Sequence, residues 1–222
     1  MDIVEAICSR KSIRGYKSTP ITRGTLKEIL GIATRAPSSD NAQAWEITVV
    51  TGEVLDNIRW GNVEMLISGV APNPDLALGR LEGVYRERQV ELAVQIFQLM
   101  GIARENRDKR AQWRQRGFRF FDAPAAIILS ADSSLSDSRI LLDVGLITQT
   151  ICLAALNYDL GTCIGVQGVQ YPEVVRKFTG IPKSKRIIVS IAIGYPDWDF
   201  PANKLESKRE PVESITTWCG FE

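Results

Sequence analysis

The sequence predicts a single domain that combines α-helices with a small number of β-strands. Its 222 residues are enough to bury a substantial core. The apolar residues follow a helical period in some segments and strand-like alternation in others. No G-x-G-x-x-G motif follows the first predicted strand, so a Rossmann dinucleotide-binding site is not indicated. The predicted order of elements is helix, helix, strand, helices, strand, helix, strand, helix and strand.

The N-terminal part of the chain predicts two helices and a strand. Apolar residues at helical spacing form a short first helix that ends near Arg10. The second helix begins at Thr22, a residue type that caps helix N-termini, and continues to about Thr34. A polar loop at 37–41 then leads into a strand at 45–50, where polar and apolar side chains alternate.

The stretch at about 57–119 differs from its surroundings and is predicted to be a helical insertion. A long helix from Leu81 carries charged residues between its apolar positions. Residues 104–119 are densely basic and contain Trp113 and Phe118. This pattern fits two arrangements, an insertion that folds over a site and a solvated peripheral helix.

The second half of the chain predicts three strands, at 125–130, 160–166 and 187–195, separated by helices at 138–157 and 172–178. The first of these helices is apolar on more than one face. Such a helix must be covered on several sides, either by a central position in the fold or by a second subunit.

The chain ends in a tail at about 196–222. This tail is too long to be a loose end, and Trp218 and Phe221 require burial. We therefore expect it to wrap around a partner subunit. The whole chain, 1–222, is predicted to be one domain with the insertion and this tail.

Composition limits the possible classes of function. The chain has 27 basic and 26 acidic residues, which argues against a general surface for nucleic acid or anionic membranes. Its longest apolar runs have the length of strands and are too short to span a bilayer. The N-terminus lacks a secretory signal pattern, and the four scattered cysteines have no C-x-x-C pair. These features predict a cytoplasmic protein with reduced thiols and no zinc site.

The chain contains no histidine. This absence excludes the commonest general base, the triads that depend on histidine, and imidazole ligands for metals. An enzyme of this composition would use carboxylates, lysine or tyrosine, or the chemistry of a cofactor. Cofactor chemistry fits the absence of histidine best.

Two short stretches at opposite ends of the chain have the residues of a phosphate site. In an extended segment Arg10, Ser12 and Arg14 share one face and can approach a single ligand. Guanidinium groups match the geometry of phosphate, and a hydroxyl adds another donor. Lys208 and Arg209 supply further cations near the C-terminus. The alternative is that all of these are solvated side chains.

Four separated segments resemble the flavin-dependent nitroreductase family. The match covers nearly the whole chain outside the insertion, and it rests on these four segments occurring together in this order. The usual Gln-Pro-Trp of the family reads Gln43-Ala44-Trp45 here, which loosens one turn. The four segments are 10–14, 36–45, 160–165, and 194–197 leading to 208–211.

The resemblance implies an α+β fold in which helices flank a mixed central sheet, and an intertwined homodimer with FMN at each interface site. It places Arg10, Ser12 and Arg209 on the FMN phosphate, with Lys208 close by, and it places Arg14 near the pyrimidine edge. The other residues that it assigns to cofactor binding are Lys11, then Pro37, Ser38, Ser39 and Asn41 from the other subunit, and the backbone of Ile164, Gly165 and Val166 near the reactive N5 side.

The implied activity is the two-electron, ping-pong reduction of nitroaromatic compounds with NADH or NADPH as electron donor. Hydride chemistry takes place at FMN N5, so no side chain is expected to act as a catalyst. Trp113 and Phe118 are the best candidates for stacking against an aromatic substrate. The alternatives are a reductive dehalogenase or a ring or enone reductase on the same fold, and a flavin-binding protein without turnover.

Overall fold

The computed structural model describes residues 1–76 and 79–221. At its centre is a four-stranded sheet with the strand order β1-β2-β4-β3. Every pair of neighbouring strands is antiparallel. The strands are β1 (Glu46–Thr51), β2 (Ala125–Asp132), β3 (Gly161–Gly165) and β4 (Lys185–Gly194).

The predicted α+β class is confirmed, and each predicted strand is present within two residues of its expected ends. The expectation of a mixed sheet needs a correction. Parallel pairing within the described residues is limited to an isolated bridge between Ser12 and Thr162, outside the named strands. The four strands themselves form an antiparallel sheet.

Eight helices surround this sheet in the described part of the chain. The predicted cap of the second helix is present, since the Thr22 hydroxyl oxygen accepts a hydrogen bond from the Thr25 N–H at 3.1 Å. The helices are α1 (Ile3–Ser9), α2 (Arg23–Ala33), α3 (Gly52–Ile67), α4 (Gly83–Leu99), α5 (Arg107–Phe118), α6 (Asp137–Leu156), α7 (Pro172–Thr179) and α8 (Val212–Ile215).

Alternating side chains of the central strands divide the core into two layers. Ile127 and Leu129 of β2 face the layer that contains α2 and α6. Ile128, between them, faces the opposite layer, where Leu55 and Ile58 of α3 are fully buried. This alternation is the period of two expected for a strand that is covered on both faces.

Helix α6 is apolar on more than one side, as predicted. Judged by length and composition alone, it could cross a membrane, but half of its most apolar stretch is buried within this fold. Its buried side packs against the sheet and α2, as in the core helix of a globular domain. Leu141 and Leu142 are exposed on its outer side, so part of the apolar surface is left uncovered by this chain.

The C-terminal tail also leaves apolar side chains uncovered. Trp218 and Phe221 contact each other edge to face, with 5.4 Å between ring centroids, yet remain 63% and 76% exposed. Its final residue, Glu222, lies outside the described residues. The tail therefore leaves these rings exposed on the surface of its own chain.

The region predicted as an insertion is helical, formed by most of α3 and by α4 and α5. Residues 77–78 of this region lie outside the described part of the chain. Ile58 and Asn62 of α3 are fully buried, whereas Ile96 is the buried residue of α4. The first helix thus belongs to the core layer and the second lies at its periphery; the exact limits of the insertion stay a prediction.

Candidate active site

The segment at 10–14 runs along the free edge of β3. The Ile13 N–H donates to the carbonyl of Thr162 at 2.9 Å, and Ser12 pairs with the same residue in the isolated bridge. This pairing holds the segment extended beside the strand. The bridge accounts for the close contact between two of the four segments singled out in the sequence.

Next to this segment lies the buried thiol of Cys163, whose pKa depends on the three residues predicted to share a face. Burial raises the pKa of this thiol, while Arg14, a hydrogen bond with Ser12, and Arg10 partly offset the rise. Burial also raises the pKa of the neighbouring Cys152 to about 11. Both thiols are therefore protonated at neutral pH and are poor nucleophiles.

A cavity of about 850 Å³ brings the two ends of the chain together. Arg10 and Lys11 line it from the N-terminal side, and Arg209 lines it from the C-terminal side. The Arg10 guanidinium has no hydrogen bond or ion pair with another described residue, and the Lys11 ammonium donates to the carbonyl of Leu205 at 3.5 Å. The cavity thus contains cationic donors that its own residues do not neutralise, although Glu206 also lines it.

Arg209 is partly engaged with its own backbone. Its Nη1 donates to the carbonyl and hydroxyl oxygens of Ser207 at 3.1 and 2.8 Å, and to the carbonyl of Lys208 at 3.0 Å. Its Nε and Nη2 have no hydrogen-bond partner within the described residues. One edge of the guanidinium is therefore available to a ligand.

Lys208, which the resemblance places close to the phosphate, contacts α4 in this chain. Its Nζ is 3.5 Å from Oε1 of Glu91 on α4, and it does not line the cavity that holds Arg10. The nearby carboxylate accounts for this placement, because an ammonium next to an acid is stabilised there. Its predicted position close to the phosphate stays a prediction, because the next residue, Arg209, does line that cavity.

Asn203 fixes the backbone around Arg14 and was not identified from the sequence. Its Oδ1 accepts from the N–H groups of Arg14 and Gly15 at 2.7 and 3.2 Å. Its Nδ2 donates to the carbonyls of Gly15 and Asp197 at 2.8 and 2.7 Å. A single asparagine in a short irregular stretch carries no sequence signal for such a role.

Arg116 holds the same region from the insertion. Its Nη2 donates to the carbonyls of Arg14 and Phe121 at 3.2 and 3.4 Å, and its Nη1 lies 2.9 Å from the Asp122 carboxylate. Its guanidinium also stacks on the ring of Phe200 at 4.8 Å. Burial lowers the pKa of Arg116, and Asp122 partly offsets that effect. Helix α5 is thereby connected to the segment at 10–14.

The two aromatic residues predicted to contact substrate differ in accessibility. Trp113 lines a cavity of about 390 Å³ and lies 6.1 Å from the ring of Phe121, which is itself 6.0 Å from the Arg14 guanidinium. Phe118 is only 1% exposed and packs on Tyr171. Trp113 therefore stays a candidate for substrate contact, whereas Phe118 is a core residue because its helix face points inward.

Open space borders the end of β3. Ile164 is 41% exposed, and a Cβ added to Gly165 would meet no atom within 4 Å. The carbonyl of Gly165 accepts from the Ser190 hydroxyl at 2.7 Å, which fixes the strand end. Val166 follows directly and is partly buried. The backbone of these residues can therefore be approached closely by a flat ring.

The polar loop at 37–41 is anchored near the start of α6. The Ser39 N–H donates to Asp143 at 3.0 Å, and its carbonyl accepts from Arg139 at 3.2 Å. Pro37 is exposed. The other two predicted residues interact with Gln43, whose N–H donates to Ser38 Oγ at 3.0 Å and whose Nε2 donates to Asn41 Oδ1 at 3.3 Å.

Comparison with known proteins identifies several similar chains. The model of the Nitroreductase family matches residues 7–195. The sequence is 32% identical over 227 residues to 4-nitrobenzoate reductase of Pseudomonas putida, covering 100% of this chain and 97% of the relative. It is 30% identical over 219 residues to nitrobenzene nitroreductase of Ectopseudomonas oleovorans, covering 97% and 96%.

The fold is also similar to a solved structure. This is the crystal structure of the FMN and NADPH-dependent nitroreductase NfnB from sphigopyxis sp. strain HMH. The two chains are 26% identical, each is covered completely, and the TM-score is 0.95.

Proposed function

The chain belongs to the nitroreductase family, and on this basis we propose that it is an FMN-dependent oxidoreductase that reduces nitroaromatic compounds with NADH or NADPH. The family, the fold class and the oxidoreductase class predicted from the sequence are confirmed. The observation that carries the proposal is the meeting of Arg10 and Arg209, from opposite ends of the chain, at one cavity of about 850 Å³.

The donors at this cavity fit the phosphate of FMN. Arg10 has an uncommitted guanidinium, Arg209 has an uncommitted edge, and Lys11 adds an ammonium. Charge-assisted hydrogen bonds of this kind are the strongest contacts a protein offers to phosphate. Arg10 also follows the C-terminus of α1, where the helix dipole opposes an anion, so more than one cation is needed.

The remaining residues would position the ring system. Arg14 is held by its backbone contacts with Asn203 and Arg116, and its charge would stabilise negative charge on the pyrimidine edge. The open backbone around Gly165 leaves room for a flat ring. When bound, FMN supplies two-electron hydride chemistry between the nicotinamide donor and the nitroaromatic acceptor. The chain contributes orientation and electrostatics, and solvent supplies the protons.

A homodimer completes the proposed site. The resemblance to the family assigns the loop at 37–41 to the FMN site of a second copy, and in this chain that loop is held against α6 through Asp143. The exposed apolar side chains of α6 and the tail, among them Leu142 and Trp218, support an interface of this kind. A cytoplasmic location is part of the same proposal, because all four cysteines are free thiols.

The assignment of the phosphate is tested by titrating the apoprotein with FMN and, separately, with riboflavin. We expect Arg10→Ala and Arg209→Ala each to weaken FMN binding about 10- to 100-fold, since each removes a charge-assisted contact. Riboflavin lacks the phosphate, so its affinity should change much less in these variants. Arg23→Ala removes an exposed arginine elsewhere and serves as the matched control. Absence of saturable FMN binding to the wild-type chain would contradict the proposed function.

A further inference from the structure

Two ion pairs connect α4 with the tail on either side of Arg209. Nη2 of Arg88 lies 2.9 Å from Oε1 of Glu210, and Nζ of Lys208 lies 3.5 Å from Oε1 of Glu91. Arg88 and Glu91 are three residues apart, so they are neighbours on one face of the helix. A basic and an acidic residue of α4 therefore face an acidic and a basic residue of the tail.

Arg209, which lies between Lys208 and Glu210 in the tail, lines two cavities. Arg209 lines the cavity that contains Arg10, and it also lines a cavity of about 670 Å³ between α4 and the tail. Lys208 and Glu210 line only the second of these two cavities. The flanking side chains of Lys208 and Glu210 thus face α4, while Arg209, like Ser207, lines both cavities.

The tail segment at 206–210 has little else to fix its position. It has no regular secondary structure, and its backbone forms no backbone–backbone hydrogen bond within the described residues. An unanchored segment would lose conformational entropy when one of its side chains binds a ligand. Contacts that hold it in place beforehand reduce that loss.

We propose that Arg88, Glu91, Lys208 and Glu210 form an ionic clasp that positions Arg209 for the phosphate of the cofactor. This inference rests on the proposed function, because it takes the FMN phosphate as the ligand of Arg209. The four residues act through Arg209 and are positioning residues. Because two of its residues lie on α4, the clasp also makes the affinity for the cofactor depend on the position of that helix.

The test reverses the charges of the better-formed pair and measures FMN and riboflavin affinity on the same samples at low ionic strength. We expect Arg88→Glu and Glu210→Arg each to weaken FMN binding about 2- to 5-fold, in line with the strength of exposed ion pairs. The double variant R88E/E210R restores opposite charges in swapped positions and should recover wild-type affinity. Riboflavin affinity should stay constant throughout.

Two features of this design separate the clasp from a simple effect of net charge. A change in the local field would make Glu210→Arg bind FMN more tightly, whereas loss of the clasp makes it bind more weakly. Arg86→Glu introduces the same charge change on α4 without a contact to the tail, and should leave FMN affinity unchanged.

The inference is overturned if Glu210→Arg binds FMN as tightly as wild type or more tightly, or if the double variant fails to recover. Thermal unfolding checks that each variant is folded. The ratio of FMN affinity to riboflavin affinity, measured on the same sample, cancels any defect that affects both ligands equally. A wild-type chain that binds no FMN would instead contradict the proposed function, which is a separate outcome.

Discussion

The side-chain amide of Asn203 holds the backbone of Arg14 in place from a segment near the opposite end of the chain. Asn203 is 1% exposed, and its Oδ1 lies 2.7 Å from the Arg14 nitrogen. Its four hydrogen bonds are made to peptide groups that lie outside the helices and strands and so have no partner in regular secondary structure. One buried asparagine therefore links the start of the tail to the segment that carries the proposed cofactor contacts.

We expect Asn203→Ala to lower the free energy of unfolding by roughly 2–4 kcal/mol, because it leaves several buried peptide groups without partners. FMN affinity should fall as well, since the Arg14 backbone loses its support. Urea denaturation of the holoprotein measures the first effect. The exposed Asn157→Ala is the control and should change stability by less than about 0.5 kcal/mol. Equal stability of the two variants would contradict this role of Asn203.

The acceptor preference can be tested through the charge around Trp113. Lys109, Arg116 and Arg119 line its cavity, and Asp122 is the acidic partner of both arginines within the described residues. This excess of positive charge should attract an anionic acceptor and should weaken with salt.

We therefore expect kcat/KM for 4-nitrobenzoate to fall with ionic strength more steeply than kcat/KM for nitrobenzene. Lys109→Glu should reduce the 4-nitrobenzoate value about 3- to 10-fold and leave the nitrobenzene value unchanged. Steady-state kinetics at low and high salt measure both effects. The same salt dependence for the two acceptors would refute the charge argument without affecting the flavin assignment.

Removing residues 212–222 should release both the partner subunit and FMN. The deleted part contains Ile215, Trp218 and Phe221, which are exposed in the single chain and are therefore available to a partner. Analytical ultracentrifugation with flavin absorbance detection reports assembly and cofactor content together. A truncated chain that stays folded, monomeric and saturated with FMN would show that the tail has a different role.

The stability of the fold should depend on pH through Asp132. Hydrogen bonds from Ser134 and the ammonium of Lys185, at 3.1 Å, hold the pKa of this carboxyl well below its ordinary value. A pKa that is lower in the folded state stabilises the protein fully above the unfolded pKa, near about 4. This contribution is lost as the pH falls from there through the folded pKa.

Asp132→Asn should accordingly lower the Tm at neutral pH, and the difference from wild type should shrink in acid. Thermal unfolding at about pH 7 and about pH 3 measures the trend. Asp199→Asn, at an exposed carboxylate, should show no such pH-dependent difference. A constant difference in Tm between wild type and Asp132→Asn across this range would contradict the assignment.

Local features of the fold could be read from the sequence because short-range chemistry determines them. The cap at Thr22 and the strand at 125–130 depend on residues close in the chain, and both are present. Arg10 and Arg209 are far apart in the chain but line one cavity, and their convergence was predicted because both lie in segments that resemble one family.

The features that were missed depend on contacts between distant segments. The ion pair between Lys208 and Glu91 of α4 is one such feature, because no local sequence pattern shows that these two residues are close in space. Phe118 lies in a basic helix, yet its ring is buried on Tyr171. Asn203 acts across the fold on Arg14 and Gly15. In each case the three-dimensional arrangement, which the chain order does not show, determines the role of the residue.

The central claim is that the chain, with FMN bound, passes electrons from NAD(P)H to a nitroaromatic compound in two separate half-reactions. Anaerobic double-mixing stopped-flow spectroscopy tests it most directly. NADPH or NADH alone should bleach the flavin absorbance of the holoprotein, and a nitroaromatic compound added afterwards should restore it, each step with a saturable rate. Holoprotein that is not bleached by either nucleotide, or that is reoxidised by a halogenated phenol but not by a nitroaromatic compound, would contradict the account.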